Sequence, residues 1–391
     1  MTRVAFVLAG RTVGWPASWT YYRNLLRSLL AVRECGLEPV VFVAASASHP
    51  ALGDLPPVEL HRSPALDNLT AASARRALWR VGLLHDRVLV QLLERHRIEL
   101  LSHSGHLGLA HGVPTLGWVP DLQHRRLPEL FDRRTWLFRE ARYRVLARLA
   151  SHLVVSSAAG EQDLYELAPE ARGKTTVLRF VIDPVPRDEQ PELSELEVRY
   201  GFSGRYLYLP NQFWAHKNHT LVVDALALLR ERGRRPLVLT TGVQHDRRSP
   251  GHFEAVMRRA REAGVARSFR PLGVVPYAHV AGLLRESLAL LNPSRFEGWS
   301  TTVEEAKSTG KRVLLSDIPV HREQDPPGCA YFDPQDAECL AELIWAEWTR
   351  CDPDGDGLLV ERAAAELPAR RREFVRAYEG AVARALETGR G

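Results

Sequence analysis

The chain has 391 residues, enough for two or three domains, and its 45% hydrophobic and 25% charged residues are those of an ordinary globular protein with ample core. No apolar run approaches the roughly 18 residues of a membrane-spanning helix, which excludes an integral membrane protein of the helical kind. The net charge of +5 is uneven: up to Ile182 there are 23 Lys and Arg against 16 Asp and Glu, and beyond it 29 against 31. A basic half beside a near-neutral half suits an anionic partner such as a membrane surface, lipid diphosphate, nucleic acid or acidic polysaccharide. It also suits a genome rich in Arg codons. Cys35, Cys329, Cys339 and Cys351 show no metal-ligand or CxxC spacing and read as free thiols of a reducing cytoplasm.

In chain order, Val4–Leu8 reads as a first strand, being too short and lacking the small-residue cleavage site of a signal peptide. Tyr22, Leu25, Leu26, Leu29 and Leu30 then recur at helical spacing. Val40–Val43 is a strand, and a long helical stretch is expected from about Ala71 to His96. Ile98–Ser102 and Thr115–Val119 follow as strands, Phe138 to Leu149 as a helix, and Leu153–Val155 as a strand before a helix capped by Ser156 or Ser157. Strands without polar alternation, each followed by a helix, indicate a parallel sheet covered on both faces.

The proline-rich segment Asp183–Pro191 reads as an interdomain linker. Alternation then restarts, with strands expected at Tyr206–Leu209, Leu237–Thr240, Phe269–Leu272, Leu288–Leu291 and Val313–Ser316, and a final helix from about Pro368 to Glu387. The division expected is residues 1–182, residues 193–365, and a C-terminal helix, residues 366–391, that crosses back to the first domain. Ligands of such sheets bind beyond the carboxyl ends of the strands, so two facing sheets would place a site in the cleft between them.

The densest group of chemically useful residues is Asn292-Pro293-Ser294-Arg295-Phe296-Glu297-Gly298-Trp299-Ser300-Thr301-Thr302-Val303-Glu304-Glu305, running from a strand end through a Gly-containing loop into a helix. A helix start offers unpaired N–H groups to a phosphate, and carboxylates beside it can accept hydrogen bonds from sugar hydroxyls; an acidic helix start also stands without any ligand. Glu297-x7-Glu305, with Pro293-Ser294 before it and Gly310 and Ser316-Asp317-Ile318-Pro319 after it, resembles the EX7E signature of GT-B glycosyltransferases. The resemblance is closest to the retaining group called family 4, and Phe332-Asp333-Pro334-Gln335-Asp336 fits that group's C-terminal half. It implies that Glu297 contacts a donor sugar and that Glu305, rather than its neighbour Glu304, binds the nucleotide ribose.

Asn211-Gln212-Phe213-Trp214-Ala215-His216-Lys217-Asn218-His219 leaves a strand and opens a helix. The resemblance puts a phosphate-binding role on Lys217, a point charge suited to a diphosphate. Many relatives carry Arg six positions earlier; here that residue is Asn211, so one phosphate clamp is absent or comes from His216 or another basic residue. Zinc binding by His216 and His219 would need further ligands. Gly10-Arg11-Thr12-Val13-Gly14-Trp15 resembles the N-terminal glycine loop that closes over donor phosphates, with Gly14 among the donor contacts. Trp118-Val119-Pro120-Asp121 resembles the place of a His-Asp pair facing the donor sugar. Asp121 carries over to the catalytic set, the His position is Pro120, and His124 is a loose substitute. His103, His106 and His111 follow a strand end, where they line an acceptor side or are surface or core residues.

Asp352-Pro353-Asp354-Gly355-Asp356-Gly357 begins like a calcium loop but has Ala363 where a bidentate Glu is needed, and reads as a turn. Arg133–Arg144 mixes Arg with Trp, Phe and Tyr, either as a core helix with a solvated Arg face or as a helix resting on anionic lipid. The resemblance therefore implies an α/β protein of the GT-B type, two Rossmann-like doubly wound domains facing a central cleft. It implies metal-independent hexosyl transfer with retention, without a cofactor beyond the nucleotide-sugar substrate. The donor contacts expected are Gly14, Asn211, His216, Lys217, Glu297, Gly298, Trp299, Ser300, Thr301 and Glu305; the catalytic set is Glu297, Lys217 and Asp121; acceptor contacts are His103, His106 and His124. The acceptor expected is a saccharide or lipid-linked glycan, at the cytoplasm or the inner membrane face, with no nucleic acid.

Overall fold

A computed structural model describes residues 1–8, 16–47, 50–70, 86–108 and 112–389. The glycine loop with Gly14, His111 and the first part of the helix expected from Ala71 lie outside the described residues. Internal contacts divide the chain into two units, one of Met1–Val181 with Ala369–Gly391, the other of Ile182–Pro368.

The first unit holds a seven-stranded sheet: β1 (Thr2–Leu8), β2 (Leu37–Ala44), β3 (Glu59–Ser63), β4 (Leu100–Ser102), β5 (Thr115–Val119), β6 (His152–Val155) and β7 (Thr175–Val177). The order is β3-β2-β1-β4-β5-β6-β7 and the pairings are parallel. Helices α1 (Pro16–Ala31), α2 (Arg87–Arg95), α3 (Gln123–Arg126), α4 (Arg133–Leu149) and α5 (Ala158–Leu167) alternate with the strands. Leu89, Leu92 and Leu93 of α2 pack on Ala5, Val40, Phe42 and Leu101, while Leu146 and Ala147 of α4 and Leu164 of α5 pack on Val119, Leu153 and Val155. Asp132 caps α4 and Ser157 caps α5, each accepting from the backbone N–H three residues on.

The second unit repeats the plan with β8 (Leu207–Leu209), β9 (Val238–Thr240), β10 (Phe269–Pro271), β11 (Leu290–Asn292), β12 (Val313–Ser316) and β13 (Cys329–Phe332), ordered β10-β9-β8-β11-β12-β13 and parallel. Its helices are α6 (Leu193–Tyr200), α7 (His219–Glu231), α8 (His252–Glu262), α9 (Tyr277–Glu286), α10 (Thr301–Thr309), α11 (Pro319–Gln324) and α12 (Ala337–Thr349). The strand period of two sends alternate side chains to opposite cores. Leu207 and Leu209 meet α7, α8 and α12; Tyr206 and Tyr208 meet α6, α9 and α10. Gly310 ends α10 at φ +68, where a Cβ would also fall 2.4 Å from the Leu359 carbonyl oxygen, so no other residue fits without strain.

A final helix, α13, runs Pro353–Thr388, with Pro368 inside it. It starts well before the expected Pro368, because Asp352 Oδ1 accepts from Gly355 N (3.0 Å) and begins a helix where a turn was expected. From Ala369 it belongs with the first unit, where Glu379 Oε1 accepts from Gly36 N (2.7 Å) and Tyr378 OH donates to Ser102 Oγ (2.7 Å). Strands β3, β7 and β13 escape the sequence reading. They are edge strands whose residues are mostly half-buried or exposed, so they lack the apolar run that marks central strands.

Candidate functional site

In the second sheet the chain winds outward from β8 to β10, then returns to start the other half at β11, beside β8. Such a reversal leaves a crevice beyond the carboxyl ends of the two strands, because the following connections depart to opposite sides. The loops that flank it are the two singled out by sequence, residues 210–218 after β8 and 293–300 after β11.

Both loops are held by buried polar contacts. Asn292 is fully buried at the end of β11; its Oδ1 accepts from Ser294 Oγ (2.6 Å) and Asn211 Nδ2 (3.3 Å), and its Nδ2 donates to Ser300 Oγ (2.8 Å). Asn211 is thus an uncharged tie between the loops. His216 O accepts from Arg295 N (2.8 Å), and Asn218 Nδ2 donates to Pro293 O (3.1 Å). Asn218 itself has φ +59, which lets the short turn at Ala215–Lys217 feed straight into α7.

This frame brings Lys217 and Glu297 together: Nζ lies 2.6 Å from Oε1, with the side chains 12% and 8% exposed. Gln324 of α11 fixes the start of α10, its Oε1 accepting from Ser300 N (3.1 Å) and its Nε2 donating to Ser300 O (3.0 Å) and Glu304 Oε1 (3.1 Å). Glu304 is therefore turned inward. Glu305 is half-buried, accepts from Tyr277 OH (2.8 Å) and lines a cavity of about 350 Å³ with Val280, Leu284 and Lys311. Gly298 and Thr301 are half-buried, and Trp299 and Ser300 are buried in the same loop.

Histidines surround the pair. His216 is buried and held well below the ordinary imidazole range by burial, then by Lys217 and Arg248. His321 is fully buried, its Nδ1 2.9 Å from Ser316 O, its Nε2 without a partner, and burial pushes it down to about 4. His219 stacks on Phe213 (4.1 Å, 15°) in the core, apart from any zinc arrangement with His216.

In the first unit Asp121 Oδ1 is 2.6 Å from Arg139 Nη2 and accepts from Gln123 N (3.0 Å). His124 is fully buried; Arg139 Nε donates to its Nδ1 (3.2 Å), and burial and that guanidinium lower its pKa. Glu140, buried on α4, gathers Arg125 Nη1 (3.0 Å) and Arg144 Nη2 (3.0 Å). Two of the five arginines in the Arg133–Arg144 segment, Arg139 and Arg144, thus serve internal ion pairs. His103, at φ +61 after β4, belongs to a buried chain: its Nδ1 is 2.7 Å from Ser102 Oγ and its Nε2 2.6 Å from Tyr21 OH, and burial pushes it down to about 3. His106 is buried, its Nδ1 accepting from Gly108 N (3.1 Å).

Among the described residues Glu59, His61 and His96 bring three donor atoms within 4.8 Å of one another, yet Arg3 Nη2 lies 2.9 Å from both Glu59 oxygens and His61 Nε2 lies 2.5 Å from one. These side chains satisfy each other. Among the described residues no helix is long and apolar enough to cross a membrane. Sequence reasoning missed Tyr277, Gln324, His321 and Arg248. Each follows a strand of the reversing sheet, but none sits in a motif that would mark it.

Residues 204–346 match the family model of group 1 glycosyl transferases. No curated protein sequence matches the chain. Among solved structures, a glycosyltransferase from Rickettsia africae is similar with TM-score 0.69 and 13% identity, covering 97% of this chain and 98% of that one. Anabaena HepE, solved with UDP and glucose, has TM-score 0.69 and 15% identity, covering 98% of this chain and 100% of its own. The lipopolysaccharide outer core galactosyltransferase WaaB has TM-score 0.58 and 17% identity, covering 97% and 99%. The chain has the fold of the GT-B glycosyltransferases, and its second unit carries the sequence pattern of the group 1 glycosyl transferases.

Proposed function

We propose that the protein is a retaining glycosyltransferase that moves a hexose from a nucleotide sugar to a glycan or lipid-linked acceptor, in the making of a surface polysaccharide or glycolipid. The observation that carries this reading is the Lys217–Glu297 pair at the strand reversal, with Glu305, on the helix that follows the Glu297 loop, lining a cavity. A cation and a carboxylate held together in this way separate when a ligand offers each a better partner. Lys217 then takes the donor's phosphate and Glu297 a sugar hydroxyl, while Glu305 accepts from the ribose.

In the reaction the bond from the anomeric carbon to the phosphate oxygen breaks. The acceptor oxygen bonds to the same face, and its proton passes to the departing phosphate oxygen. Lys217 stabilises charge as it develops on that phosphate, which is electrostatic catalysis by a preplaced group. Asp121 of the first unit stays in the catalytic set of the proposal, whereas His103 and His124 are engaged in buried internal contacts. No resident metal or cofactor enters it.

The outer face of α4 supports a membrane-bound acceptor. Arg133, Arg134, Ala141 and Arg142 are exposed beside Leu137 (51%) and Phe138 (57%), and the helix's one acid, Glu140, is buried. Such a face suits the anionic inner leaflet. Transfer to a small natural-product acceptor, or binding of a nucleotide sugar without turnover, are the competing readings.

The test is a thermal-shift panel of UDP, GDP, dTDP and CMP sugars, followed by NMR of the anomeric configuration in any product. A donor at 100 times its dissociation constant stabilises by roughly 2.7 kcal/mol. An α product from an α donor supports the reading. An inverted product sinks retention, binding without transfer to any saccharide or lipid acceptor leaves the non-catalytic reading, and no shift with any donor sinks the site assignment.

A further inference from the structure

The loop after β9, residues 241–251, folds back over the turn that carries Lys217. Phe213 N donates to Val243 O (2.9 Å), and Val243 N donates to Gln212 Oε1. Gly242 makes this approach possible: at φ +143, a Cβ there would fall 2.7 Å from the Asn211 carbonyl oxygen. Asp246, 5% exposed, closes the connection, its Oδ2 accepting from Ala215 N (3.3 Å) and its Oδ1 from Arg248 N (2.9 Å).

Arg248 is thereby delivered to the site. Its Nη2 lies 3.5 Å from His216 Nδ1, its Cζ 5.5 Å from the Trp214 ring centroid, and its Nε 3.4 Å from Asp246 Oδ1. His216 is the residue before Lys217, and the charges of Arg248 and Lys217 both bear on its buried imidazole. Asn211, by contrast, is 3% exposed, neutral and tied to Asn292.

We infer that Arg248 is the second cation of the diphosphate seat, supplying from the β9 loop the charge that Asn211 does not. A diphosphate carries more negative charge than one ammonium offsets, and a planar guanidinium adds paired donors matched to phosphate oxygens. Trp214 on one side and Asp246 behind fix the plane of that fork, so little side-chain freedom is lost on binding. The inference rests on the nucleotide-sugar reading of the site.

Calorimetric titration of the full chain with UDP, GDP and dTDP, and with the corresponding nucleosides, separates the two. Arg248→Ala should weaken binding of the preferred diphosphate by at least about tenfold while leaving its nucleoside within roughly twofold. Arg248→Lys should fall between, and Arg247→Ala, at the exposed neighbour, should match the wild type. The slope of log affinity against log salt should also become shallower in Arg248→Ala. Diphosphate binding within roughly twofold of wild type, or an equal loss for the nucleoside, overturns the assignment and leaves Arg248 a loop-folding residue. A wild type that binds none of the three diphosphates overturns the nucleotide-sugar reading itself, and the inference with it.

Discussion

Lys217 Nζ and Glu297 Oε1 lie 2.6 Å apart, joining the loops after β8 and β11, which are neighbours in the sheet though 80 residues apart in the chain. The pair is nearly buried, so each partner makes the other tolerable there. Lys217→Met should cost up to roughly 3 kcal/mol, since the Glu297 carboxylate is left without a cation. Lys217→Met with Glu297→Gln should recover most of that loss in chemical denaturation. Turnover should stay down by about 10²–10³ in both, because neither restores the cation at the leaving phosphate. Recovery of turnover along with stability would mean that the pair is structural alone.

Gln324 makes three hydrogen bonds with its one amide, two of them to the Ser300 backbone. Gln324→Ala leaves Ser300 N and the Glu304 carboxylate buried without that partner. The expected cost is about 1–3 kcal/mol in denaturant midpoints, with weaker donor binding because the start of α10 loosens. Gln324→Glu should be worse than Gln324→Ala, since it sets a second carboxylate against Glu304. The reverse order would show that Glu304 is protonated or turned away.

His103 is neutral in the folded chain down to about pH 3, whereas the unfolded chain takes up a proton near 6.5. The unfolded state therefore binds more protons between those values. Its contribution to stability is intact above about 6.5 and declines as pH falls toward 3, by up to about 1.4 kcal/mol per pH unit. His103→Asn, chosen because Asn tolerates φ near +61, should flatten the slope of unfolding free energy between pH 6 and 4.5 by about one proton. An unchanged slope would mean that the imidazole is already charged in the fold.

The exposed face of α4 predicts sedimentation with vesicles containing anionic lipid and not with zwitterionic ones. Leu137→Ser with Phe138→Ser should reduce binding several-fold without lowering the melting temperature, both side chains being more than half exposed. Arg133→Glu with Arg134→Glu should abolish it at low salt, at about 1 kcal/mol for each basic residue lost. Binding that survives both pairs places the membrane contact elsewhere.

The strand-and-helix alternation was legible because central strands such as Val40–Val43 are apolar on both faces, and the chain writes that as an unbroken run. Edge strands β3 and β13 were not, since one side of each meets solvent. At the site, the family resemblance favoured Glu305 over Glu304 for the ribose role, and the two carboxylates do differ in their surroundings. That difference is tertiary: Gln324, nineteen positions beyond Glu305, draws Glu304 inward, while Glu305 meets Tyr277 and the cavity. The histidines after β4 and β5 could not be resolved from sequence, because an imidazole reads alike whether it faces a ligand or, as His103 and His124 do, completes a buried hydrogen-bonded or charged cluster.

Sequence by itself determined the local periods, which depend on residues close in the chain, while the resemblance singled out Lys217, Glu297 and Glu305 as candidates. The tertiary structure alone decided that Lys217 and Glu297 pair, that Asn211 ties its loop to Asn292, and that Arg248 reaches His216. Each is a contact between residues 32 to 81 positions apart, and only the order of strands in the sheet brings those loops to one edge.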